Sequence, residues 1–114
     1  MDISFSSRRL EKQLNQERAM VKAFGSQRAK RLKIVLTTLR AAPSLAMFAP
    51  PYSPPHRCHE LTGNRKGKLS LDLDGPYRLL LSPAHNPLPE RQEGGLDWHQ
   101  VTAIKIHGVE DTHG

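Results

Sequence analysis

Alternating apolar and polar residues mark two adjacent runs near the centre of the chain. Leucine occupies positions 69, 71 and 73 of LSLDLD, and apolar residues recur at positions 77, 79 and 81 of YRLLL. Alternation of this kind is typical of strands with one buried face. The intervening Asp74-Gly75-Pro76 suits a tight turn, because Gly accepts positive φ and Pro cannot continue a ladder. The pattern therefore predicts a β-hairpin with Arg78 on its polar face.

Helical spacing precedes this hairpin. Ser6 or Ser7 can cap a first helix that ends at Gly25, and a second helix is predicted from about Gln27 to Ala42, before Pro43. The first helix has an imperfect apolar stripe at positions 10, 14, 21 and 24, and the second has apolar positions 29, 32, 35, 36 and 39. Both stripes would pack onto a sheet.

Shorter segments complete the prediction. We expect an opening strand at residues 3–5, a third hairpin-associated strand at residues 59–62, and a final strand from about His99 to His107. The basic turn 63–67, the Pro-rich segment 49–55 and residues 83–95 are predicted to be loops. Helices grouped before a hairpin-rich sheet indicate a single α+β domain over residues 1–114, with two N-terminal helices on a small, mostly antiparallel curved sheet.

The charge balance points towards an anionic partner. The chain of 114 residues has a net charge of +6, and residues 18–59 contain eight Lys or Arg but no Asp or Glu. Such a run is often a solvated basic face, and it also suits contact with phosphates or with an acidic partner segment. With one cysteine, no signal-peptide pattern and no apolar run that could span a bilayer, we expect a cytoplasmic protein without membrane contact.

Histidines and cations are the candidates for chemistry, since no phosphate-binding Gly loop or zinc-finger spacing occurs. A metal site at His56, Cys58 and His59 with His113 is disfavoured, because successive strand residues face opposite ways and the second Cys of a typical site is missing. RNA cleavage without a metal or other cofactor needs a base, an acid and cations that stabilise the phosphorane. The residues that suit these roles are His59, Arg65, Lys66, Lys68, Arg78, Asp111 and His113. Taken alone, a terminal His is usually just exposed, and a strand Arg usually pairs with a carboxylate.

Several blocks together resemble a known family. They are residues 10–17 at the opening of the first helix, LRAAPSL (39–45), HELTGNRKGKLSLDL (59–73), PYRLLL (76–81), GGLDW (94–98) and VTAIKIHGVEDTH (101–113). In this order they are similar to the HigB-like branch of the RelE/ParE superfamily of bacterial toxins. The resemblance covers nearly the whole chain.

The resemblance implies a toxin of a type II toxin–antitoxin system that enters the ribosome and cleaves translated mRNA. It implies active-site roles for His59, Asp111 and His113, and contact of Arg78 with the scissile phosphate. It also implies RNA contacts by Arg65, Lys66 and Lys68, and a HigA-like helix-turn-helix antitoxin as the partner. Family members often carry an aromatic residue at the position of Thr112, which would stack on a base. Thr112 can only hydrogen-bond to the nucleotide.

Two alternatives remain beside the nuclease. One is a toxin that binds a protein target such as DNA gyrase without catalysis, as ParE-type relatives do. The other is an inactive member that binds only its antitoxin. Clustered proton-transfer groups favour the nuclease, because a module that only binds has no need of them.

Overall fold

Along the described residues, one strand precedes the three helices and four strands follow them. The computed structural model describes residues 1–112, and it begins with strand β1 (Asp2–Phe5) followed by helices α1 (Arg8–Asn15), α2 (Glu17–Phe24) and α3 (Ser26–Ala41). The remaining strands are β2 (His59–Glu60), β3 (Leu69–Asp72), β4 (Tyr77–Pro83) and β5 (Ala103–Asp111). Single turns of 3-10 helix lie at Leu45–Phe48, Gly63–Arg65 and Trp98–Gln100.

The five strands form one sheet in the order β1-β5-β4-β3-β2. The three pairings among β2, β3, β4 and β5 are antiparallel, and only β1 runs parallel to β5. The predicted α+β class and the mostly antiparallel sheet are therefore confirmed. The predicted hairpin is present, since Leu71 pairs with Leu79 and the Leu73 N–H donates to the Tyr77 carbonyl across the turn.

One face of the sheet packs against the helices. The odd-numbered residues of β3 and β4 join the even-numbered isoleucines of β5 and the apolar stripe of α3 in one buried cluster. Leu32, Val35 and Leu39 of α3 are fully buried there. Because side chains alternate along a strand, this arrangement leaves the opposite face of the sheet for polar residues.

The first predicted helix is divided. Gln16 has extended backbone angles (φ −115°, ψ 120°) and separates α1 from α2. Met20 is six positions after Leu14, which is about 1.7 turns of a helix. In an unbroken helix the two side chains would therefore point in directions about 120° apart. The break allows Leu14 and Met20 to be buried, while Val21, which the sequence pattern placed in the stripe, is exposed.

The final strand lies further along the chain than predicted. Residues 98–100 form a 3-10 turn that buries Trp98, and β5 extends to Asp111 instead of ending at His107. The antiparallel partner β4 explains the extension, because its residues 77–79 pair with residues 109–111. The strand expected at residues 59–62 is limited to His59–Glu60. Within residues 1–112, no helix combines the length and apolar character needed to cross a bilayer.

Candidate functional site

The sheet surface opposite the helices is the candidate site, and we call it the polar face. Its rows follow from the register: His59 lies beside Ser70, Ser70 beside Leu80, and Asp72 beside Arg78, which lies beside Glu110. Ser70 and Leu80 are buried although they belong to this face. They therefore form a floor, with the longer polar side chains around it.

His59 is held in a defined orientation. Its Nδ1–H donates to the Arg57 carbonyl at 2.7 Å, because a carbonyl oxygen can only accept. Its Nε2 lies 3.5 Å from the buried Ser70 hydroxyl oxygen. In the neutral ring, Nε2 is thus the atom that can take a proton.

Tyr52 covers one side of this histidine. The two rings are stacked with centroids 3.9 Å apart and planes 15° from parallel. Tyr52 lies in the loop 49–58, and its N–H donates to the Cys58 carbonyl at 3.0 Å, which ties the loop to the start of β2. Half of the Tyr52 surface stays exposed, so the structure supplies an aromatic surface beside His59.

Arg78 is partly engaged by its surroundings. Its Nε lies 2.9 Å from Asp72 Oδ1, and its Nη1 donates to the carbonyls of Gly75 and Tyr77 at 2.8 Å each. Asp72 also faces Arg57, with Nη1 to Oδ2 at 3.3 Å. Among the described residues, Nη2 of Arg78 has no hydrogen-bond partner, so this group is the donor that can meet an incoming anion.

The predicted basic turn lies beside this arginine row. Arg65 donates from Nη2 to Glu110 Oε1 at 3.0 Å, which ties the turn to β5. Lys66 is exposed in the turn, and Lys68 is half-buried at the start of β3. Lys68 precedes Ser70 by two residues, so alternation places it on the polar face.

The C-terminal candidates are only partly brought to this face. Asp111 pairs with Tyr77, and alternation along β5 places its side chain on the face opposite to that of Glu110. The Thr112 N–H and hydroxyl both donate to the Pro76 carbonyl, at 3.1 and 3.3 Å, so Thr112 contacts the hairpin turn. His113, a predicted catalytic residue, lies outside the described residues.

A second polar cluster, which the sequence reasoning missed, lies at the other end of β4. Ser82 Oγ lies 2.7 Å from His107 Nε2, and Ser82 is directly opposite Lys105. Burial lowers the pKa of His107, and the charges of Lys68 and Lys105 lower it further. His107 lies at a register irregularity of β5, opposite the step from Leu80 to Leu81. An alternation pattern alone gives no signal for such a bulge.

Three more contributors to the polar face were missed as site residues. Asp72 could have been found, since the register of the predicted hairpin places it beside Arg78. Glu110 could not, because the final strand was predicted to end at His107 and the pairing of β5 with β4 places Glu110 there. Tyr52 could not have been found, because it lies in a Pro-rich loop. A loop has no hydrophobic periodicity that would predict which strand its side chains contact.

A cleft of about 690 Å³ opens beside the basic turn. Leucines at positions 61, 69, 88 and 96 give it apolar walls, and Lys66, Lys68, Glu60 and Glu90 lie among its lining residues. The loop 83–95 therefore forms one side of a recess, in addition to connecting two strands.

Within residues 1–112, no three His, Cys, Asp or Glu side chains are grouped so that they could hold a metal ion. Cys58 is buried, and burial raises the pKa of its thiol to about 12.

The chain matches no model of a known protein family and no curated protein.

Proposed function

We propose that this chain is a metal-independent endoribonuclease that cleaves mRNA at the ribosome, in the cytoplasm, as the toxin of a type II toxin–antitoxin system. The observation that carries the proposal is the polar face itself. There a histidine with an available Nε2 and an arginine with an available Nη2 project from neighbouring rows of one sheet.

The spacing of these two residues suits a single phosphodiester. His59 and Arg78 are two strands and two residues apart, which corresponds to about 12 Å between Cα atoms at ordinary strand spacings. Both side chains are long enough to approach a group that lies above Ser70 and Leu80. Ser70 and Leu80 between them are fully buried, so they form the packed base of this face beneath the side chains that cover them.

The reaction needs three roles. A base removes the proton of the ribose 2′-hydroxyl, and the 2′-oxygen attacks the adjacent phosphorus. The bond from phosphorus to the 5′-oxygen breaks, and an acid protonates that oxygen, which leaves a cyclic phosphate and a 5′-hydroxyl. Arg78 would stabilise the charge of the phosphorane, and His59 would carry one of the two proton transfers. Asp111 and His113, through the family resemblance, and Glu110, through its place beside Arg78, are candidates for the other. Of the two carboxylates, Glu110 is the one that shares the face of Arg78.

Tyr52 supports RNA as the substrate. Thr112 replaces the aromatic residue of many HigB-like toxins, and Thr112 is bonded to the hairpin turn. An exposed ring beside His59 can stack on a base in its place, because every base offers a π-face. Arg57 lies 5.4 Å from the centre of this ring and adds positive charge near the same position.

The charge distribution supports the partners. A net charge of +6 favours both the ribosome and an antitoxin with acidic segments. A shallow sheet surface provides little positioning of its own, so the ribosome would arrange the substrate. A HigA-like antitoxin that covers the polar face would suppress the activity.

Expression in a bacterial host, with mapping of mRNA 5′-ends, tests the proposal. Wild type should cut translated messages in phase with the reading frame, and His59→Ala should cut at least about 100-fold more slowly, since acid–base groups typically contribute ~10²–10⁴. His99→Ala is the matched control, because the His99 side chain is 86% exposed and lies in the 3-10 turn at 98–100.

The outcomes separate the candidate functions. Growth arrest with intact mRNA would contradict the nuclease and indicate a protein target such as DNA gyrase. Neither arrest nor cleavage by wild type would indicate an inactive member. Equal cleavage by wild type and His59→Ala would remove His59 from the active site.

A further inference from the structure

The geometry points to a second phosphate subsite on the polar face, formed by Lys68, Ser82, Lys105 and His107, which binds a backbone phosphate of RNA a short distance along the strand from the cleaved one. This inference rests on the proposed function and adds to it. It assigns a role to a cluster that the cleavage chemistry leaves unused.

The cluster is assembled by the sheet. Ser82 is directly opposite Lys105, and its hydroxyl lies 2.7 Å from His107 Nε2. Lys68 immediately precedes Leu69, which pairs with Leu81, so Lys68 lies next to Ser82 on the neighbouring strand. Three adjacent strands thus contribute hydroxyl, imidazole and ammonium groups to one patch.

The bulge explains why His107 belongs to this patch. Leu80 is opposite Gly108, whereas Leu81 is opposite Ile106, so β5 has one extra residue at His107. At a bulge the side chain of the extra residue departs from the regular alternation of the strand. Here the imidazole of His107 contacts Ser82. The Ser6 hydroxyl donates to the His107 carbonyl at 3.4 Å and adds a contact from β1.

The cluster is cationic and lacks a carboxylate. Lys68 and Lys105 both act electrostatically on His107, and no acidic residue is among the groups that do so. In contrast, the Arg78 row contains Asp72 and Glu110, which neutralise part of its charge. Lys68 also lines the cleft that contains Glu60 and Glu90. A phosphodiester would therefore find the two ammonium groups of Lys68 and Lys105 and a hydroxyl donor at this end of the face.

The distance between the two ends suits one RNA strand. Ser82 follows Arg78 by four residues on β4, which corresponds to about 13 Å along a strand. Extended single-stranded RNA covers such a distance within a few nucleotides. Leu80 lies between the two ends on the same face and is fully buried, so the side chains that cover it would form the surface under the intervening nucleotide.

Nuclear magnetic resonance of the full chain can observe both ends at once. The probes are a 2′-O-methyl dinucleotide with one phosphodiester and a 2′-O-methyl hexanucleotide, neither of which has the attacking hydroxyl. We expect the dinucleotide, which can occupy only one end at a time, to need a higher concentration than the hexanucleotide to shift either imidazole. The hexanucleotide should shift the imidazole signals of both His59 and His107.

Salt dependence provides a second measurement. For the hexanucleotide, the double variant Lys68→Gln/Lys105→Gln should lower the slope of log K against log salt by about 0.7, the value for one phosphate contact on a single strand. The control is Lys12→Gln/Lys22→Gln, which removes the same charge from exposed positions of α1 and α2 and should leave the slope unchanged.

Each outcome has a clear meaning. Shifts of His59 without His107, together with equal slopes in the two double variants, would overturn the subsite and leave the proposed nuclease intact. If the hexanucleotide shifts neither histidine, the subsite is overturned, while the mapping of mRNA 5′-ends decides separately whether the chain cleaves RNA at the ribosome. If His107 shifts and His59 does not, the subsite holds and the proposed cleavage site is wrong.

Discussion

The hairpin turn that presents Arg78 is fastened to α3 by one arginine, and this contact gives a quantitative prediction. Arg28 reaches Asp74 with two donors, Nε to Oδ1 at 2.9 Å and Nη2 to Oδ2 at 3.2 Å. Its guanidinium also lies 3.5 Å from the centre of the Tyr77 ring. Since Arg78 donates to Gly75 in the same turn, this contact should also limit the movement of the proposed phosphate ligand.

The magnitude follows from the exposure of the pair. The side chains of Arg28 and Asp74 are 22% and 24% exposed, and the contact is bidentate. Exposed pairs stabilise proteins by ~0.2–1 kcal/mol, so Asp74→Asn should lower the free energy of unfolding by about 1 kcal/mol at neutral pH. Arg28→Ala should cost about 2 kcal/mol, because the cation–π contact contributes ~0.5–1 kcal/mol as well.

The effect of pH on this pair has a defined sign. The hydrogen bond from Arg28 lowers the pKa of Asp74 in the folded protein. The stabilisation is therefore fully present above the pKa of an unfolded Asp, about 3.9, and is lost as the pH falls through the lower pKa of the folded state. The difference between wild type and Asp74→Asn should shrink towards zero in strong acid.

Urea unfolding over a series of pH values measures this difference. Glu93→Gln is the control, because its partner Arg91 is 3.8 Å away and both side chains are more than half exposed. It should change stability little at any pH. If Asp74→Asn loses the same free energy at neutral pH and in strong acid, the ion pair is not the cause of the loss.

Three further predictions concern the core, the cysteine and the loop 49–58. Leu36→Ala, at a buried position of α3, should lower the free energy of unfolding by about 2–5 kcal/mol in urea titrations. The same change at the 53% exposed Ile34 should have little effect. Cys58 should resist a thiol reagent such as Ellman's reagent in the native protein and react in urea, because burial keeps its thiol protonated; rapid native labelling would contradict its burial. Tyr52→Ala should weaken binding of a 2′-O-methyl hexanucleotide by about 1–3 kcal/mol, measured by fluorescence anisotropy, if the ring stacks on a base. Tyr52→Phe should bind like wild type, and unchanged binding by Tyr52→Ala would exclude stacking.

Local patterns in the sequence determined the element types. Alternation over residues 69–81 predicted the hairpin and the outward position of Arg78, and the apolar spacing of residues 29–39 predicted α3. These features depend on near neighbours in the chain, since a strand repeats every two residues and a helix every 3.6. The α+β class followed from their order.

Tertiary structure decided the composition of the polar face. The bulge that directs His107 to Ser82 and the parallel pairing of β1 with β5 join residues far apart in the sequence. The stacking of Tyr52 on His59 joins residues that are close in the sequence, but it depends on how the loop 49–58 folds back onto β2. The break at Gln16 has the same origin, because burial of Met20 is decided by the core and not by helical periodicity. Periodicity reports which face of an element is apolar, whereas contacts between elements depend on how those faces pack together.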